Sequence, residues 1–247
     1  HQLPSDGLLI ANLDDVNVQQ IIIQNPHIKT ITYGYNPESD YQIKDQQIIH
    51  QQKSFDLNIF LPGQHNVFNA TAVIALSDYL QLDRSKSIQA ISEFRGANRR
   101  FEIKGKIGQT TIIDDYGHTP TEIQATLSGV KQFFGENSKV LCIFQPHQYS
   151  RTFHFLNEFA QSFQLINQVY IPNIYASRDT EEDLKKINVD QLVAKINQDT
   201  PELAQNTKNF DHTLKLIQEN YGKFDVIITM GAGDITKLAD HVVEILQ

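Results

Sequence analysis

Residues 110–134, TTIIDDYGHTPTEIQATLSGVKQFF, give a short apolar strand, a polar turn and an amphipathic helix in immediate succession. Pro120 falls in the first turn of this helix, where its missing amide hydrogen costs no hydrogen bond. Three further apolar stretches lie at residues 139–146, 168–174 and 225–233, and helical patterns separate them. Apolar strands that alternate with helices predict an α/β fold with a doubly wound, mostly parallel sheet.

The first part of the chain has a different pattern. Short apolar stretches at residues 7–12 and 29–34 precede residues 41–60, where apolar and polar side chains alternate. Such alternation is typical of antiparallel strands with one solvated face. Two helices are predicted next, at residues 65–82 and 85–94. This part offers little of a parallel core.

The change of pattern near Gly96–Arg99 predicts a domain boundary. We expect residues 1–97 to be part of an α/β domain and residues 98–247 to form a complete Rossmann-like domain. The later helices of this second domain are predicted at residues 152–166, 189–196, 213–221 and 235–246.

The composition excludes two classes of partner. The 247 residues carry a net charge of −8, whereas nucleic acid requires a basic face. No apolar stretch approaches the length of a membrane span, and no signal peptide is visible. The single cysteine, Cys142, lies in an apolar run, which fits a buried thiol in a reducing, cytoplasmic setting. Because the chain starts with His1 and has one methionine, Met230, we expect it to begin inside a larger protein.

Polar side chains gather after three predicted strands, as DDYGHTPTE at 114–122, QPHQYSR at 145–151 and GAGD at 231–234. Ligands of open α/β sheets bind beyond the carboxyl ends of the strands. The same residue types also build ordinary turns, and Thr119 could simply cap a helix. Two histidines and an arginine in these clusters favour a site. The Gly231–Gly233 pair lacks the third glycine of a dinucleotide fingerprint, so we interpret it as a tight turn that could bind an anion.

Two asparagines, Asn66 and Asn69, share one face of the helix predicted at residues 65–82. Carboxamides donate and accept hydrogen bonds, as the edge of a nucleobase requires, although a helix cap and a backbone bond explain them equally well. Arg99 and Arg100 could bind phosphate or form a solvated charge pair. The sequence has no GxxxxGK[ST] phosphate loop, no metal-ligand spacing of His or Cys, and no GxSxG or Cys–His pattern.

Five stretches occur in the order and spacing of the Mur ligases, and the chain resembles that family over essentially its whole length. They are PGQHNVFNA (62–70), GANRRFE (96–102), IDDYGHTPTEI (113–123), FQPHQYSRT (144–152) and MGAGDITKLA (230–239). The resemblance implies a three-domain, ATP-dependent ligase with a sugar-binding domain, a central ATPase domain and a Rossmann-like domain. It also implies that residues 1–97 are the C-terminal part of the central ATP-binding domain and that residues 98–247 are the C-terminal Rossmann-like domain. The residues of the third and fourth stretches resemble those of the family members that join L-alanine to UDP-N-acetylmuramate in peptidoglycan precursor synthesis. In these members the reaction proceeds through an acyl phosphate.

The resemblance also implies how this chain binds ATP. Asn66 and Asn69 match asparagines that face the adenine, and Asp115 matches an aspartate that meets the ribose. Arg100 matches a catalytic arginine directed at the ATP phosphates. Magnesium ions bridge those phosphates, and their protein ligands are expected mostly outside this chain.

The acceptor site is implied in the same way. His118, which is also expected to be catalytic, together with His147 and Arg151 matches positions that bind the amino acid and the muramoyl end. The family usually has a second histidine where this chain has Thr119, and an arginine where it has Gln148. A carboxylate needs a cationic partner, so Arg151 is the expected clamp.

Three alternatives stay open at this stage. The parent could be a murein-peptide recycling ligase or a folylpolyglutamate-type ligase. The chain could also be a standalone binding module without ATPase chemistry. Because nothing among the 247 residues can cradle the β- and γ-phosphates, we expect this chain alone to be inactive. The oligomeric state is left open.

Overall fold

The computed structural model describes residues 3–4 and 6–246. The chain divides into two compact units, His1–Arg95 and Gly96–Gln247. Within the described ranges, no helix has both the length and the apolar character that crossing a membrane would require.

Unit 1 contains one five-stranded sheet and three helices. The strand order is β1-β2-β3-β4-β5, in which β1, β2 and β3 pair in parallel and β3, β4 and β5 pair antiparallel. The elements are β1 (Leu8–Asn12), α1 (Val16–Gln24), β2 (Lys29–Gly34), β3 (Tyr41–Lys44), β4 (Gln47–His50), β5 (Lys53–Asp56), α2 (Gln64–Tyr79) and α3 (Arg84–Glu93).

The antiparallel strands predicted at residues 41–60 are confirmed, but they end at Asp56. The expectation of little parallel structure was wrong, because β1, β2 and β3 form a parallel arrangement. The core of unit 1 is completed by α2, whose Ile74 and Ala75 are fully buried against Tyr41 and Ile48 from the sheet.

Unit 2 contains a six-stranded sheet in the order β10-β9-β8-β11-β7-β6. All neighbouring strands are parallel except β6 and β7, which confirms a mostly parallel α/β sheet. The elements are β6 (Glu102–Ile107), β7 (Thr110–Asp115), α4 (Pro120–Phe134), β8 (Val140–Phe144), α5 (Tyr149–His154), α6 (Leu156–Gln161), β9 (Gln168–Ile171), α7 (Val189–Asp199), β10 (Ala204–Asn206), α8 (Phe210–Asn220), β11 (Val226–Met230) and α9 (Thr236–Leu246).

The central strands β7, β8 and β11 are buried along their whole length. Parallel strands covered by helices on both faces bury every side chain, so they appear in the sequence as continuous apolar runs. Cys142, at the centre of β8, is fully buried, and burial raises the pKa of its thiol. Because β7, β11 and β8 are neighbouring parallel strands, their carboxyl ends meet along one edge of the sheet.

Three predictions for unit 2 were inaccurate. The helix predicted at residues 152–166 is two short helices, α5 and α6, because Phe155 has φ −108° and ψ 27°, outside the helical region. The sequence analysis also missed β6 and β10. Both are edge strands, and β10 has only three residues.

Candidate functional site

Two histidines from different strand ends meet at the carboxyl edge of the sheet in unit 2. His118 follows β7 and His147 follows β8, and their ring centroids lie 5.9 Å apart at an interplanar angle of 72°. Both rings are partly exposed. The geometry therefore brings together two of the polar clusters that the sequence placed after separate strands.

His118 is held by the start of α4. Oε2 of Glu122 accepts hydrogen bonds from the amides of His118 (3.0 Å) and Thr119 (3.1 Å), and it lies 3.3 Å from Nδ1 of His118. Thr119 caps the same helix in a capping box with Glu122. Burial raises the pKa of Glu122, but the hydrogen bonds and the charge of His118 outweigh it and lower that pKa overall. Glu122 is therefore an anion that orients His118.

His147 packs between His118 and a tyrosine. Its ring stacks on Tyr175 with centroids 5.4 Å apart and an angle of 16°. Its Nδ1 atom is buried without a hydrogen-bond partner. Burial lowers the pKa of His147 below its usual value, and the positive charges of Arg151 and His118 lower it further. The carboxylate of Asp179 opposes this shift, and the contribution of His118 applies only when that ring is protonated. Burial and the charge of Arg151 suffice to lower the pKa, so His147 is neutral at pH 7.

Arg151 lies on α5 and has no ion-pair partner in the part of the chain that the structure describes. Its Nη1 atom is buried and has no hydrogen-bond partner within residues 3–4 and 6–246. A buried guanidinium nitrogen without an acceptor is unfavourable. A carboxylate bound here would remove this cost through charge-assisted hydrogen bonds.

The loop after β9 completes this edge, and the sequence analysis missed it. The carboxylate of Asp179 accepts hydrogen bonds from the amides of Tyr149, Ser150 and Ser177, and from the Ser150 hydroxyl. The side chain of Gln148 donates to the carbonyl of Ser177 at 2.8 Å. The polar run SRDT at residues 177–180, just beyond the carboxyl end of a predicted strand, was the available signal.

The glycine turn after β11 is fixed from inside the protein. Gly231 has φ +148°, and a Cβ atom there would lie 2.6 Å from the carbonyl oxygen of Gln145. The fully buried side chain of Gln145 donates to Asp234 at 2.8 Å and accepts from the amide of Ile235 at 3.1 Å. This amide, near the start of α9, is thus already paired within the protein.

Arg99 and Arg100 differ in their surroundings. Arg99 forms an ion pair with fully buried Asp114 (3.2 Å) and donates to the carbonyl of Gly231 (2.6 Å). Arg100 is exposed. Both guanidinium groups lie over the ring of Tyr116, 5.1 and 5.2 Å from its centroid. Arg99 is thus structural, a role that the sequence analysis did not identify, whereas Arg100 remains accessible.

Asp115 is directed into unit 2. It is 4% exposed, and its carboxylate accepts hydrogen bonds from the amides of Phe101 (2.9 Å) and Gly117 (2.8 Å) and from the Thr126 hydroxyl (3.1 Å). Burial raises its pKa, although these bonds and the charge of Arg100 oppose the shift. A direct ribose contact, as the resemblance implies, would require the carboxylate to exchange one of these partners.

Unit 1 has an apolar cavity of about 430 Å³ beside α2 and α3. Asn66 and Asn69 lie on its wall, where Asn66 donates to the carbonyl of Pro62 at 2.7 Å and Asn69 is exposed. Apolar walls with carboxamides at one side suit a flat aromatic base. The other lining residues are Ile59, Phe60, Leu61, Ala70, Val73, Ser77, Ser87, Ala90, Ile91 and Phe94.

A metal site was sought separately. Among the described residues, no group of three or more His, Cys, Asp or Glu side chains could hold a metal ion.

Comparison with known proteins shows similarity over both units. The profile of the Mur ligase middle domain matches residues 1–77, and that of the Mur ligase glutamate ligase domain matches residues 99–233. The chain is 36% identical to the UDP-N-acetylmuramate–L-alanine ligase of Caldanaerobacter subterraneus subsp. tengcongensis, covering 98% of this chain and 54% of that protein. It is 34% identical to the same-named protein of Persephonella marina, covering 100% and 54%.

Solved structures agree with this. UDP-N-acetylmuramate-alanine ligase MurC from Thermotoga maritima superposes with a TM-score of 0.70 at 30% identity, covering 87% of this chain and 47% of that one. A murein peptide ligase from Psychrobacter arcticus shares the fold, with a TM-score of 0.69 at 22% identity, covering 98% and 52%. The chain spans about half the length of the curated relatives it matches.

Proposed function

The chain belongs to the Mur ligase family, and from this premise we propose that it forms part of an ATP-dependent ligase that joins L-alanine to UDP-N-acetylmuramate. The observation that carries the proposal is the buried Nη1 of Arg151, which has no hydrogen-bond partner and lies near His147, the ring that contacts His118. The names of the relatives support this choice of substrates. The reaction belongs to peptidoglycan precursor synthesis and takes place in the cytoplasm.

Arg151 binds the carboxylate of L-alanine. The guanidinium has an atom that lacks an acceptor, and a carboxylate supplies two oxygens in a geometry that matches the guanidinium. This contact orients the amino group of the bound alanine toward the two histidines. His147, neutral because of its lowered pKa, adds no competing charge at the amine.

His118 accepts the proton that the alanine ammonium must lose before it can attack. Its Nδ1 faces two acceptors, Oε2 of Glu122 (3.3 Å) and the carbonyl of Tyr116 (3.2 Å). The ring proton therefore resides on Nδ1, and the lone pair resides on Nε2. Nε2 takes the proton, and the free amine attacks the acyl phosphate. The new amide bond forms as phosphate leaves with the C–O bonding electrons, and the attacking nitrogen gives its remaining extra proton to the departing phosphate.

The nucleotide contacts are assigned to both units separately. In unit 1, Asn66 and Asn69 face the adenine at the wall of the apolar cavity. In unit 2, exposed Arg100 is directed at the phosphates. Asp115 either contacts the ribose directly or positions the turn at Gly117, whose amide donates a hydrogen bond to it. ATP would supply the phosphoryl group that activates the muramoyl carboxylate, and Mg²⁺ would accompany it on ligands that lie mostly outside this chain.

The proposal is tested by phosphate release from the ligase that contains this chain. We expect release that requires ATP, UDP-N-acetylmuramate and L-alanine together. The 247-residue chain alone should release none, because it has no phosphate loop. Release that follows a murein tripeptide or glutamate in preference to L-alanine would assign the chain to a different ligase.

A further inference from the structure

Arg178 forms no ion pair with any described residue, and its backbone conformation is strained. Its backbone is left-handed, with φ 60°, which is unfavourable for a residue with a Cβ atom. The side chain is exposed. Within residues 3–4 and 6–246 no hydrogen bond or ion pair to its guanidinium is formed. Strain of this kind persists where the surrounding structure fixes the backbone, which often occurs at ligand sites.

The residues on either side of Arg178 are tied to the start of α5. The carbonyl of Ser177 accepts from the side chain of Gln148 at 2.8 Å. The carboxylate of Asp179 accepts from the amides of Tyr149 and Ser150, both at 3.1 Å. These bonds hold the Arg178 backbone beside His147, consistent with its charge contributing to the lowered pKa of that histidine.

We propose that Arg178 is a second specificity-determining cation, which binds the carboxylate of the acceptor amino acid together with Arg151. This inference rests on the proposed function. One carboxylate has four lone-pair sites, so it can accept from two guanidinium groups. The nearby anion, Asp179, forms no ion pair with Arg178 among the described residues, and its oxygens already accept four hydrogen bonds from Tyr149, Ser150 and Ser177.

The test is a binding titration of the whole 247-residue chain. Binding is monitored through the NMR signals of the His118 and His147 imidazoles. The probes are L-alanine and L-alaninamide, which lacks the carboxylate. We expect Arg178→Gly to weaken L-alanine binding about tenfold, as for loss of one charge-assisted hydrogen bond. L-Alaninamide should bind weakly, and with equal affinity, to the wild type and to Arg178→Gly. Lys215→Ala, which removes an exposed positive charge from α8, should leave L-alanine binding unchanged.

Glycine is the informative substitution because it adopts φ 60° without strain. The thermal midpoint of Arg178→Gly should therefore equal or exceed that of the wild type, so that weaker binding cannot be attributed to unfolding. If Arg151→Ala loses L-alanine binding while Arg178→Gly binds like the wild type, the inference fails and the proposed function stands. If Lys215→Ala weakens binding as much as Arg178→Gly, the effect is one of net charge and the inference is overturned. If the wild type does not prefer L-alanine over L-alaninamide, both fail.

Discussion

The rings of His118 and His147 meet edge to face with centroids 5.9 Å apart, although β11 separates the two strands that carry them. Parallel strands make this possible, because their carboxyl ends all lie at one edge of the sheet. Arg151 follows His147 on the next helix, and its charge acts on that histidine. One sheet edge thus brings two imidazoles into contact and places a cation near one of them.

The protonation of His147 should depend on Arg151. Burial lowers the pKa of His147 from its ordinary value of 6.5, and the charge of Arg151 is the next cause. We expect an NMR titration of the His147 ring to have its midpoint below 6.5. The midpoint should rise in Arg151→Ala, because a repelling charge is removed. A midpoint unaffected by Arg151→Ala would contradict the proximity of the two groups.

The same shift has a consequence for stability. Because the folded pKa lies below the unfolded one, the unfolded chain binds the proton first as the pH falls. The free energy of unfolding therefore falls as the pH decreases from about 6.5 to the folded pKa of His147. Above about pH 6.5 this histidine no longer lowers the free energy of unfolding. His147→Asn, measured by urea unfolding across this range, should show a shallower decline than the wild type. His154, an exposed histidine on α5, provides the control in His154→Asn.

The ion pair between Arg99 and Asp114 should stabilise unit 2. Asp114 is fully buried and also accepts from the hydroxyls of Thr229 and Thr236. Asp114→Ala leaves the guanidinium, whose side chain is 21% exposed, without its carboxylate. We expect a loss of about 3 kcal/mol in the free energy of unfolding. The matched control is Asp240→Ala, which removes an exposed partner of Lys104 and should change little. Equal losses in the two variants would refute a structural role for the buried pair.

Gly231 should be intolerant of any side chain. Its φ of +148° is unfavourable for other residues, and an added Cβ would meet the carbonyl of Gln145 at 2.6 Å. Gly231→Ala is expected to cost about 2 kcal/mol or more in urea unfolding. At Gly222 nothing lies within 4 Å of the added atom, so Gly222→Ala should stay within about 0.5 kcal/mol of the wild type. A neutral Gly231→Ala would show that the turn is not fixed by Gln145.

The βα unit at residues 110–134 was predictable almost to the residue. A continuous apolar run, a proline at the first helical turn and the Thr119–Glu122 capping box all act locally, so the sequence alone reveals them. The break at Phe155 was not predictable in this way, because apolar side chains continue at helical spacing on both sides of it. The edge strand β10 has only three residues, too few to show the alternation of apolar and polar side chains that indicates a strand.

The missed site residues share a different cause. Arg99 pairs with Asp114 and with the carbonyl of Gly231, far apart in the chain. Asp179 caps α5 from a loop that follows β9. Such contacts depend on strand order, which a pattern of strands and helices does not determine. By contrast, the strand-end clusters could be predicted, since the position of a strand's carboxyl end is a local property.

Asn69 should contribute to ATP binding without supporting the fold. It is exposed on the wall of the apolar cavity, whereas Asn66 is tied to the carbonyl of Pro62. Losing one neutral hydrogen bond to adenine should weaken binding about two- to tenfold. We expect Asn69→Ala to do so in a calorimetric titration with ATP, at an unchanged thermal midpoint. Asn17→Ala, at an exposed position of α1, should bind ATP like the wild type, and equal weakening there would remove Asn69 from the site.

Arg151 is expected to bind the carboxylate of L-alanine, and Arg151→Ala removes this contact. In the ligase that contains this chain, steady-state kinetics with each substrate varied in turn should show the KM for L-alanine raised about 10- to 100-fold, corresponding to roughly 1.5–3 kcal/mol for a hydrogen bond to a charged group. Arg151→Lys should recover only part of this loss, because an ammonium cannot bind bidentately. The KM for ATP should change much less. An unchanged KM for L-alanine together with a normal kcat would show that Arg151 does not bind the carboxylate of L-alanine.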